Sequence, residues 1–97
     1  MYDMNTWIEN ILKDKKRIAV PIMTHPGIEL TGRTVYEAVT NGMVHYDAIN
    51  ALNSRFPAAA CTIIMDLTVE AEAFGASIEY SENEIPTVIG RLVTNAE

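Results

Sequence analysis

Apolar positions along the chain follow two patterns: helical spacing in some stretches and short, unalternated runs in others. Trp7, Ile8, Ile11 and Leu12 share one helical face behind a capping box at Thr6-Trp7-Ile8-Glu9, and Glu9 and Lys13 pair at i, i+4, which predicts an amphipathic first helix. Ile18-Ala19-Val20-Pro21-Ile22-Met23 is a short apolar run and predicts a strand ending in the turn Thr24-His25-Pro26-Gly27. Pro21 withholds a ladder donor, so that strand is expected at an edge or with an irregular middle. The polar stretch from Glu29 to Arg33, with Gly32 inside it, reads as a turn. Thr34-Val35-Tyr36-Glu37 is a second capping box. It opens a helix whose apolar positions Val35, Ala38, Val39, Met43, Tyr46, Ile49 and Leu52 keep near-3.6 spacing to about Asn53. Asn41-Gly42 interrupts this pattern, and a break there would divide it into two shorter helices.

The stretch from Phe56 to Tyr80 organises the rest. After Pro57, the run Ala58-Ala59-Ala60-Cys61-Thr62-Ile63-Ile64-Met65 lacks alternation and predicts a strand buried on both faces, as in parallel sheets. Asp66 closes it. Good helix formers follow at Leu67, Glu70, Ala71, Glu72 and Ala73, and Gly75 supplies the stop. Ala76 to Tyr80 and Ile85 to Ile89, separated by Ser81-Glu82-Asn83-Glu84, predict a β-hairpin. The order helix, strand, helix, strand, short helix, hairpin is that of an α/β chain with crossover helices. Two parallel strands cannot cover their own faces, so 1–97 reads as a single partial domain.

Composition narrows the partners. The net charge of -6 and a pI of about 4.8 leave no clustered Lys and Arg surface for nucleic acid, and the one basic run, Lys13 to Arg17, sits where cations complement a helix end. No apolar run approaches the ~20 residues of a membrane helix, and the first residues show no signal pattern, so a cytoplasmic protein is expected. The single cysteine, Cys61, fits a reducing compartment.

Asp66, nine positions before Gly75 with Ala73 between them, is similar to the strand-end aspartate and following Ala-x-Gly of the uroporphyrinogen decarboxylase superfamily. Val69-Glu70-Ala71-Glu72-Ala73-Phe74-Gly75 resembles its corrinoid-dependent methyltransferase branch, and the likeness spans roughly residues 17 to 93. The resemblance implies the N-terminal part of a (β/α)8 TIM barrel, a fold of about 250 residues with its active site at the strand C-terminal ends. It further implies an enzyme fragment forming one wall of the active-site pocket. The decarboxylases bind their tetrapyrrole carboxylates through an Arg-Gln-Ala-Gly-Arg element. Here the equivalent turn is Thr24-His25-Pro26-Gly27-Ile28, without either arginine, which makes uroporphyrinogen decarboxylation the alternative rather than the first expectation. The methyltransferases resembled activate a thiol with zinc held by a His-x-Cys element and a distant cysteine. With one cysteine and two histidines, this chain is expected to hold no metal itself; zinc and a corrinoid partner are expected only for the complete enzyme.

Asp66 is the candidate catalytic residue, because strands of parallel α/β folds deliver such groups at their ends; an N-cap of the following helix is the structural alternative. His25 and Glu70 are the candidate substrate-binding residues, one at the end of the first strand and the other one turn beyond Asp66. His45, within an amphipathic helix, and Cys61, within an apolar run, are expected to be structural. A small-molecule substrate, and either a homo-oligomer or association with the missing part of the barrel, complete the expectation. The other alternative is a non-catalytic α/β module that self-associates through its uncovered sheet faces.

Overall fold

The computed structural model of the chain describes residues 2–95. Its first helix, α1 (Met4–Lys13), begins two residues before the expected box: the Asp3 carboxylate accepts from the Asn5 N–H at 3.0 Å and the Thr6 hydroxyl at 2.6 Å, and is therefore the cap. Those bonds, the Thr6 one foremost, hold the Asp3 carboxyl below its ordinary range. The stretch expected as two turns is instead a helix, α2 (His25–Thr31). Pro26 lies in its first turn, where a missing N–H costs nothing, and Gly32 closes it at φ 67 in the left-handed region.

Thr34 opens α3 (Val35–Thr40) with both halves of the capping box. Its hydroxyl accepts from the Glu37 N–H at 3.2 Å, and the Glu37 carboxylate accepts from the Thr34 N–H at 3.0 Å. Asn41 divides the long apolar pattern into α3 and α4 (Gly42–Arg55): it is C-cap to the first and N-cap to the second, its side-chain oxygen accepting from the N–H groups of Met43 and Val44. A short α5 (Val69–Ala73) follows Thr68, and Gly75 turns the chain at φ 99. The hairpin strands β1 (Ser77–Glu79) and β2 (Thr87–Ile89) pair antiparallel with Ile78 opposite Val88. The loop between them docks on α3 through a Tyr36–Tyr80 edge-to-face contact at 5.7 Å and a Tyr36 N–H to Glu82 C=O bond.

The core lies where α2, α3 and α4 meet, around Ile28, Val35, Ala38, Ala48 and Ile64. Gly27 permits the close approach of α2 to α4, since a Cβ there would collide with the Ala48 carbonyl.

The expected architecture of parallel strands with crossover helices, the N-terminal part of a TIM barrel, does not form. The described residues make five helices and one two-stranded antiparallel sheet, with no parallel strand pair. The runs 18–23 and 58–65 form segments without helix or strand, the second bent at residues 59 and 60, and they lie side by side: the Ala59 N–H reaches the Ala19 C=O at 3.4 Å and the Thr62 hydroxyl reaches the Pro21 C=O at 3.4 Å. Their contact stops short of a ladder because Pro21 has no N–H to give. Burial on both faces fails for a different reason. The helices cover one face only, so Ile64 is 8% exposed whereas its neighbours Ile63 and Met65 are 74% and 59% exposed. Cys61, expected in a core, is exposed for the same reason.

Candidate functional site

Asp66 follows the segment 58–65 and precedes α5. Its Oδ1 accepts the Thr68 N–H at 2.9 Å and the Thr68 hydroxyl at 2.7 Å, an Asx turn that presents Thr68 as the first residue before the helix. The N–H of Asp66 itself donates to the Ile64 C=O at 3.2 Å. The carboxylate is thus tied locally through one oxygen, and all its hydrogen bonds among the described residues run to Oδ1. The second oxygen is left as an acceptor for an incoming donor.

Asp66 and Glu70 line an open depression of about 460 Å³ with Ile22, Thr62, Leu67 and the aliphatic side chains between residues 63 and 65. His25, the first residue of α2, lines a second depression of about 310 Å³ with Met23, Thr24 and Pro26. The two share Ile22, Ile63, Ile64 and Met65. The three candidate residues therefore border a common apolar floor without entering one cavity: Asp66 and Glu70 come together, and His25 stands across the ridge.

His45, expected from the sequence to be structural, makes a long-range contact that the sequence did not foretell. From α4 it reaches the segment 58–65, and its Nε2 accepts the N–H of buried Ile64 at 3.0 Å. That ring nitrogen consequently carries no proton and cannot at once hold a metal. Among the described residues no three His, Cys, Asp or Glu side chains group to hold a metal ion, and His25, His45 and Cys61 stand in separate elements. The signal available in the sequence was a ring nitrogen at the helix face it shares with Ala48 and Leu52, both buried.

Comparison with protein-family models, characterised proteins and solved structures returns no match. No helix of the described residues is long and apolar enough to cross a membrane.

Proposed function

We propose that this chain forms one wall of the active-site pocket of a corrinoid-dependent methyltransferase-like enzyme of the uroporphyrinogen decarboxylase superfamily. The observation that supports the reading is the convergence of Asp66 and Glu70 on an open, apolar depression whose floor is continuous with the one bearing His25. In this reading Asp66 holds a donor group of a small-molecule substrate on the oxygen that Thr68 leaves free. Glu70 adds negative charge on the same side, and His25 contacts the ligand from the far edge. Zinc and corrinoid belong to the remainder of such an enzyme and its partner protein; no residue of this chain is assigned to them. A reducing cytoplasm suits the single thiol.

The test is methyl transfer from methylcobalamin to a thiol, followed by the cobalt spectrum, with the longest natural form of the polypeptide. Wild-type turnover that falls at least ~10-fold in Asp66→Asn, about 1.4 kcal/mol of transition-state stabilisation, supports the proposal. Uroporphyrinogen decarboxylation in its place would favour the alternative, against which the missing arginines stand.

A second reading, a self-association module, draws on a separate observation. The accessible surface is 7894 Å², whereas a compact monomer of this mass exposes roughly 5,500 Å². Its radius of gyration is 17.4 Å, against roughly 13 Å for a compact chain of this length. The excess, on the order of 2,400 Å², exceeds the ~800 Å² that each partner buries in a standard interface.

A further inference from the structure

Ile64 is tied through both of the peptide units that flank its Cα. Its N–H donates to Nε2 of His45 at 3.0 Å, and its C=O accepts the Asp66 N–H at 3.2 Å. Asp66 then takes the Thr68 N–H and hydroxyl on Oδ1. A short stretch of backbone, tied at Ile64 to the middle of α4 and at Asp66 to Thr68, thus leads from the helix to the carboxylate at the depression. From this geometry we infer that His45 is the positioning residue for Asp66, setting from α4 where the segment delivers its acid. The inference rests on reading Asp66 as the pocket acid.

Four features support the assignment. The segment has no ladder to fix its register, so a few ties set its height: the Ala59 N–H to the Ala19 C=O, Thr62 to Pro21, Ile64 to His45, and the packing of the Ile64 side chain in the core. Ile64 is buried and its N–H lies in a partly buried setting, where the ring nitrogen supplies the acceptor. The flanking Ile63 and Met65 are largely exposed and cannot anchor the segment by packing. Ala48 and Leu52, which share the face of His45 on α4, are buried and apolar, so packing alone calls for no polar group at that position. An imidazole there supplies an acceptor that a helix backbone, with its own carbonyls engaged, does not offer.

The test is nuclear magnetic resonance on the isotopically labelled chain. A scalar coupling across the hydrogen bond from the Ile64 amide nitrogen to His45 Nε2 is expected in the wild type, and its absence would overturn the inference. His45→Leu keeps the bulk and removes the acceptor. It should raise Ile64 amide exchange at least ~10-fold and displace the Thr68 amide resonance, which reports the Asp66 turn. His45→Gln, whose side-chain oxygen reaches about as far as Nε2, should restore the Thr68 resonance. Should His45→Leu unfold the chain, His45→Asn, with a shorter reach, should displace Thr68 with the helices intact. An unmoved Thr68 in every variant that removes the contact would sink the positioning role. These readouts do not depend on activity. Full turnover of Asp66→Asn would defeat the pocket-acid reading, and with it the functional meaning of the tie, while leaving the hydrogen bond itself in place.

Discussion

At the scale of single residues, Asp66 joins two roles that substitution can separate. Asn retains an oxygen to accept from Thr68, so Asp66→Asn is expected to leave the melting temperature nearly unchanged while losing the charge. Asp66→Ala removes both hydrogen bonds of the turn, and thermal melts should show a loss of about 0.5–1.5 kcal/mol. Equal melting of the two variants would mean that the turn contributes nothing. Among the three residues the sequence nominated, the carboxylates converge because Asp66 and Glu70 flank the start of one short helix, an arrangement legible from their spacing. The contact of His45 with Ile64 spans nineteen positions and no periodicity in the sequence reports it.

At the scale of elements, Gly27 decides how closely α2 meets α4. Gly27→Ala would press a methyl group against the Ala48 carbonyl, and a loss of about 1–3 kcal/mol is expected from chemical denaturation. The capping box of α3 makes a second prediction: Thr34→Ala should cost about 0.5–2 kcal/mol. Its partner Glu37 is held below the usual carboxylate range, first by the Thr34 N–H and also by Arg33. A depressed folded-state value means that the contribution is present above the unfolded carboxylate range and fades as pH falls through the folded value. An acid titration should therefore narrow the stability gap between wild type and Glu37→Gln, and a gap constant with pH would contradict that assignment. Both box and break were readable from Thr34, Glu37 and Asn41-Gly42, because capping is local. The helix at His25–Thr31 was marked by Pro26 near its start and Gly32 at its end, signals that a turn shares.

At the scale of the whole molecule, the described core is small and one side of the paired runs stays open. Ile63, Leu67 and Phe74 are 74%, 75% and 81% exposed, an arrangement that isolated soluble chains rarely keep. Sedimentation at micromolar concentration should show dimers or larger species, with binding of a hydrophobic dye. The double substitution Ile63→Lys and Leu67→Lys should reduce both. A compact monomer that excludes the dye would show that this face closes on itself.

By itself the sequence determined the features with short-range causes: the caps at Thr34 and Asn41, the stop at Gly75, the pairing of the runs around Ile78 and Val88, and the placement of Asp66 at the start of a helix. Each depends on residues a few positions apart, whose hydrogen bonds or backbone preferences act wherever the segment lies. Only the tertiary structure decided what the apolar runs 18–23 and 58–65 became. An unalternated apolar run states that burial is favourable and is silent on what covers it. With helices on one side, and with Pro21 offering no donor, the runs remain irregular and half covered rather than forming strands of a parallel sheet. The same one-sided cover exposes Cys61, sets the Ile64 amide against His45, and leaves Asp66 and Glu70 on an open apolar floor.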